Sequence, residues 1–203
     1  MTTDLLDWGV ATRALPGEPE SGDRHVIAGF PGGALVAAID GLGHGPDASS
    51  AAVAAVAVLA EQPQRSVTAL VQRCHVSLRG TRGVVMTVAS FEAREHTMTW
   101  LSVGNVEAFL FHGDRGRGRR ESVFQRGGVV GYQLPPLRAD VVPVAPGDVL
   151  VMATDGIRGD FTEDVSPAME PQTMATGILA RSFKGTDDAL VVVARYVGRG
   201  EGP

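Results

Sequence analysis

Residues 34–45 read Ala-Leu-Val-Ala-Ala-Ile-Asp-Gly-Leu-Gly-His-Gly, and no other stretch limits this chain as much. An apolar run ends on one carboxylate, Asp40. Glycine then occupies three of the next five positions, and a small-residue stretch starts at Pro46. The run reads as a strand buried on both faces. The glycines remove side chains where another group must come close to the backbone. A carboxylate at a strand end, beside bare peptide groups, suits a hard cation that takes carboxylate and carbonyl oxygens. The same residues also spell an ordinary strand-to-helix turn with a capping Asp, and alone they do not separate the two.

The pattern recurs. A second apolar run, residues 149–154, ends at Asp155 and is followed by Gly156. Asp23 precedes the alternating segment 24–28, and Asp187 and Asp188 open the run 189–193. Four acidic points, read without a cationic partner, thus stand at the mouths of four predicted strands. One sheet system could bring them together. Clustered carboxylates repel one another unless cations neutralise them. An oxygen-only donor set excludes zinc or an iron–sulfur cluster and favours magnesium or manganese.

At 203 residues and 44% apolar, the chain can bury the core of one domain, and no Pro/Ser-rich linker divides it. The net charge of −5 argues against generic nucleic-acid binding. The arginine-rich run 115–120 reads as a solvated hairpin tip. The single cysteine, Cys74, rules out an internal disulfide and reads as a buried or half-buried helix thiol; His75 reads as a plain helix residue. No apolar run has signal-peptide length at the start, and none reaches the roughly 18 residues of a spanning helix. The closest, 48–60, is alanine-rich and reads as a helix packed tightly on a sheet. A cytoplasmic protein with no membrane partner, working as a monomer, is the expectation.

Strands are predicted at 8–15, 24–30, 34–40, 84–92, 97–103, 106–112, 121–125, 140–144, 149–154 and 189–196. Helices are predicted at 46–61, 66–79 and 171–183, with Pro46 in a first turn, Ser66 as an N-cap and Gly80 as a stop. Pro31-Gly32-Gly33 joins the second and third strands as a hairpin, and Gly104-Asn105 reads as a second hairpin turn. Residues 127–138 are irregular. Hairpins and helices in blocks argue for an α+β fold: two mainly antiparallel sheets, face to face, flanked by helices.

Taken in order, Asp40-Gly41-Leu42-Gly43-His44-Gly45, Thr154-Asp155-Gly156 and Asp187-Asp188 resemble the motifs of PPM-type metal-dependent protein phosphatases. Within these the chain looks like the bacterial SpoIIE/RsbU branch, and most like its small standalone members of the RsbX type. The segments 80–83, 103–107, 131–135 and 185–190 share in the likeness, which spans about residues 8–196 of a single 1–203 domain. The resemblance implies an α-β-β-α sandwich, two Mn2+ or Mg2+ ions, and hydrolysis of phosphoserine or phosphothreonine in proteins. Carried over by position, Asp40 bridges both ions. Asp23 and the Gly41 carbonyl serve one, and Asp155 and Asp187 hold the other. Asp40 and Asp155 are thereby the catalytic acids, and Asp188 supports a ligand rather than coordinating.

Two positions depart from the wider pattern. Leu42 stands where eukaryotic relatives carry a His, and His44 follows two residues later, either as an acid or as a residue ordering the turn. Leu190 stands where many relatives carry Thr or Ser. The expected substrates are phosphorylated STAS-domain proteins of a stressosome, of the RsbS and RsbR kind. The first strand starts within a few residues of the N-terminus, which leaves no room for a sensor region. A rim at 127–138, with Tyr132 and Arg138, is the expected substrate contact. The alternatives are a catalytically weak domain acting as a binding module, or a phosphatase of an anti-anti-sigma factor.

Overall fold

The computed structural model describes residues 3, 5–113 and 119–198. Residues 114–118, with most of the arginine-rich run, and the tail 199–203 lie outside the described residues. Among the described residues, ten strands form two five-stranded antiparallel sheets. The first is ordered β1 (Leu6–Arg13), β10 (Ala189–Tyr196), β9 (Val149–Ala153), β6 (Glu107–Phe111), β7 (Arg120–Ser122). The second is ordered β2 (Asp23–Phe30), β3 (Gly33–Gly41), β4 (Val84–Glu92), β5 (Thr97–Val103), β8 (Asp140–Pro143).

The period-2 alternation of a strand sorts the side chains into three cores. Along β3, Ala34, Val36 and Ala38 face the inter-sheet core, while Leu35, Ala37 and Ile39 face the helices α1 (Pro46–Glu61) and α2 (Val67–Ser77). Along β10, Leu190, Val192 and Ala194 face the other sheet, while Ala189, Val191 and Val193 face α3 (Pro171–Ser182). Strands buried on both faces account for the uninterrupted apolar runs in the sequence. The result is the α-β-β-α sandwich that the sequence predicts.

The helices start where their caps allow. Pro46 occupies the first turn of α1, where its missing N–H leaves no bond unmade. The Ser66 hydroxyl accepts the Ala69 N–H at 3.3 Å to open α2, and Glu170 accepts the Thr173 N–H at 2.8 Å to open α3. Cys74 is fully buried against the second sheet, and burial pushes its thiol up to about 12.

One expected connection is wrong. β5 and β6 are not a hairpin; they lie in different sheets. Gly104, at φ 97, turns the chain across the sandwich. Val106 then enters the inter-sheet core with no exposed surface, and the buried Thr87 hydroxyl donates to its carbonyl at 2.7 Å. A burial and a hydrogen bond reaching back 19 residues therefore overrule the local turn signal. The 3-10 helix Gly159–Asp164 was also not foreseen.

Candidate metal centre

Strand ends from both sheets meet at one end of the sandwich. Asp23 opens β2 and Asp40 lies next to the last residue of β3, and the two are direct cross-strand partners. Asp155 follows β9 by two residues, and Asp187 and Asp188 run straight into β10. β10 packs on β2 and β3, and β9 on β3, so these acids face one another across the sheet interface.

Four of the five carboxylates, all but Asp40, accept hydrogen bonds given by the protein. Thr154 Oγ1 donates to Asp23 Oδ2 at 2.7 Å and accepts the Leu190 N–H at 2.8 Å. Thr154 thus steadies Asp23 and is itself held by the backbone of β10. Asn105 Nδ2 donates to Asp155 Oδ2 at 2.9 Å. Asp187 Oδ1 accepts the Asp188 N–H at 2.8 Å. Asp188, only 3% exposed, accepts the N–H groups of Leu15 at 2.7 Å and Gly22 at 2.6 Å, and so ties the loop before β2 to the start of β10.

Close backbone packing shapes the same corner. A Cβ on Gly41 would lie 2.2 Å from the Ala48 carbonyl oxygen, so α1 can start against this strand only where residue 41 has no side chain. A Cβ on Gly156 would lie 1.9 Å from the Asp188 carbonyl oxygen, which explains the glycine after Asp155.

The electrostatics are those of a crowded acid cluster. Burial raises Asp23 to about 7, with Asp188, Asp155 and Asp187 adding to it against the Thr154 hydrogen bond. Burial likewise raises Asp40 to about 9, and Asp23, Asp155, Asp187 and Asp188 all push the same way. Asp187 is raised by burial, then by Asp155 and Asp188, while its bond from the Asp188 N–H and the nearby His44 act against this. Among the described residues, none of the five acids forms an ion pair with Lys, Arg or His. Arg24, next to Asp23 in sequence, instead donates to the Ser21 and Asp23 carbonyls and to Ser49.

Two buried acids that repel three others are stable together only with protons or cations among them. The donor set is all oxygen and fits hard divalent cations. Among the described residues, no three His, Cys, Asp or Glu side chains close on one point tightly enough to hold an ion as they stand. Asp23, Asp155, Asp187 and Asp188 accept hydrogen bonds as they stand, and coordination would exchange part of that bonding.

Other predicted residues fall in different places. His44 is 57% exposed, its Nδ1 lies 2.5 Å from Glu18 Oε1, and its charge reaches Asp187. The first half of the 127–138 segment borders the centre, because Val84 pairs with both Gly41 and Val130. Tyr132 stands at the tip of the next turn, 82% exposed. Arg138 is not brought to the centre. It pairs with Asp140 at 3.3 Å on the edge strand β8, three strands from β3. With Asp140 opposite Trp100, and Asp40 level with the far end of β5, the separation is roughly 20 Å from strand spacing and rise. A cavity of about 680 Å3 lies elsewhere, at the opposite end of the β2–β3 hairpin, lined by residues 29–33.

Sequence reasoning missed Thr154, Asn105, Glu18 and Lys184. The acids do have a cation beside them: Lys184 Nζ donates to the Asp155 carbonyl at 2.5 Å. Its signal was its place three residues before Asp187. Thr154 and Asn105 sat inside segments already singled out, but their partners lie 131 and 50 residues away.

The profile of the family described as Stage II sporulation protein E (SpoIIE) matches residues 31–197, most of the chain. The chain belongs to the SpoIIE family. It is thus a PPM-type phosphatase domain of the SpoIIE/RsbU branch. A chain from a structural study of the bacterial stressosome, described as a modular system adapted to control secondary messenger signalling, is 28% identical. That likeness covers 94% of this chain and 99% of the other, with a TM-score of 0.85. RsbX in complex with magnesium is 18% identical over 97% of this chain and 98% of its own, also at 0.85. The PP2C phosphatase domain of SpoIIE from Bacillus subtilis, solved with a fragment of its regulatory domain, is 20% identical at a TM-score of 0.78. It is matched over 95% of this chain and 63% of its own. These last two show the shared fold. No curated protein sequence matches the chain.

Proposed function

We propose that this chain, acting as one domain, is a metal-dependent protein serine/threonine phosphatase whose substrates are phosphorylated STAS-domain proteins of a stressosome. The observation that carries the reading is the register pair Asp23–Asp40 facing Asp155, Asp187 and Asp188 across the sandwich. Membership of the SpoIIE family and the 28% identical stressosome chain support the substrate class. In this reading Asp23, Asp40 and the Gly41 carbonyl would hold one Mg2+ or Mn2+, and Asp40, Asp155 and Asp187 would hold the second. Bound divalent cations would supply Lewis-acid polarisation of the phosphoryl oxygens and a more acidic water.

The residues divide the remaining work. Thr154 and Asn105 fix the orientation of Asp23 and Asp155. Asp188 holds the entry of β2 in place through Leu15 and Gly22. Glu18 orients His44 at the exposed lip, where the imidazole would serve either to protonate a departing serine oxygen or to order the turn. Among the described residues no helix is long and apolar enough to cross a membrane, which is compatible with a cytoplasmic partner. The substrate class is tested by phosphate release from phosphorylated STAS proteins of the same genome against an unrelated phosphoprotein at equal concentration. At least tenfold preference for the STAS protein is expected; equal rates would contradict a stressosome role while leaving the phosphatase reading intact.

A further inference from the structure

Lys184 is the only lysine among the 18 Lys and Arg residues of the chain, and it stands at the edge of the acid cluster. Its place is fixed by backbone. The Lys184 N–H donates to the Gly156 carbonyl at 2.9 Å, Arg158 N–H donates to Ser182 O at 2.8 Å, and Phe183 bridges Ile157. The segment 182–184 therefore runs antiparallel to 156–158, beside Asp155. The exposed ammonium donates to the Asp155 carbonyl at 2.5 Å, and its charge reaches Glu107. Among the described residues it closes no ion pair with any carboxylate.

An ammonium has three donors, and one is used on the carbonyl. Two remain for a ligand. A phosphate monoester dianion that approaches five carboxylates meets repulsion on every side where no cation stands. Lys184 puts a positive charge directly beside the Asp155 backbone. A compact ammonium on a flexible stem can keep its carbonyl contact while turning to a phosphoryl oxygen, which the planar guanidinium fork of arginine does less readily.

We infer that Lys184 is a substrate-binding residue that contacts a non-bridging oxygen of the phosphoryl group, an assignment that rests on the phosphatase reading. Because the chain has one lysine, biosynthetic incorporation of 13Cε-lysine into the full protein labels Lys184 alone and leaves its three donors intact. The Lys184 Cε signal should shift saturably when inorganic phosphate is added in the presence of Mg2+, and not when chloride is added instead. Lys184→Met should lower kcat/KM for p-nitrophenyl phosphate and for a phosphoprotein alike by about 10- to 100-fold, the scale of one charged hydrogen bond. The loss should fall mainly on KM, with the Mg2+ activation curve and melting temperature unchanged, and Lys184→Arg should recover part of it. A Lys184 Cε signal that answers Mg2+ but not phosphate, together with an unchanged KM in the Met variant, overturns the inference while metal-dependent turnover preserves the phosphatase reading. No hydrolysis of either substrate by the unmodified chain with Mg2+ or Mn2+ overturns both.

Discussion

Asp40 and Asp188 belong to one acid corner, yet asparagine should act on them in opposite senses. Asp40 is raised to about 9 by burial and four acidic neighbours, so its charge is a burden on the fold and an asset to cation binding. Asp40→Asn should abolish metal-dependent turnover while leaving the melting temperature in chelator unchanged or higher. Asp188 is satisfied by two backbone N–H groups, and Asp188→Asn should cost about 1–3 kcal/mol of stability through those weakened bonds. Residual turnover in the Asp188 variant should be the greater of the two. Loss of metal affinity at position 188 with no change in melting would reverse these roles. The same acids set the pH response of the stripped protein. Asp23 and Asp40 have an ordinary value of 3.8, against about 7 and about 9 in the folded chain. Between those values the folded state binds more protons than the unfolded one, so stability is full below 3.8 and falls as pH rises through about 7 and then about 9. In chelator, melting temperature should therefore decline across that interval. Saturating Mg2+ should cancel or reverse the decline, because the ion binds the deprotonated acids. Asp40→Asn should flatten the part nearest pH 9, and a melting temperature in chelator that climbs throughout would contradict the cluster.

At the scale of elements, what the sequence disclosed depends on how local each cause is. The apolar runs of β3, β9 and β10 and the alanine face of α1 were legible because burial on both faces and close helix packing write themselves into consecutive residues. The Gly104–Asn105 corner was not, since the same turn residues serve a hairpin or a change of sheet. What decides it is the burial of Val106 and the bond from Thr87. That corner also delivers Asn105 to Asp155, so Asn105→Ala should lower turnover several-fold with little change in melting, measured by initial rate beside a thermal scan. The joint between β3 and α1 should be less forgiving. A methyl on Gly41 meets the Ala48 carbonyl, so Gly41→Ala should cost roughly 1–3 kcal/mol as α1 shifts, and weaken metal activation as well. An unchanged melting curve would mean that α1 has room the packing denies.

At the scale of the whole molecule, the sandwich is the device that turns four distant strand ends into one site. Sequence order exposed the acids, but not which other groups reach them. Arg138 was expected at the substrate rim and sits with Asp140 on an edge strand, while Lys184, Thr154 and Glu18 were passed over and stand at or near the centre. Sheet order and register decide such meetings, and neither is written in any one segment. The central claim is that the acids work by holding divalent cations. It is tested most directly by stripping the purified chain with a chelator and following phosphate release from a phosphorylated STAS-domain protein, with metal content measured in the same sample. The stripped protein should show no turnover and should recover on adding Mn2+ or Mg2+; full turnover in excess chelator, with no metal detected, would contradict a cation-holding role.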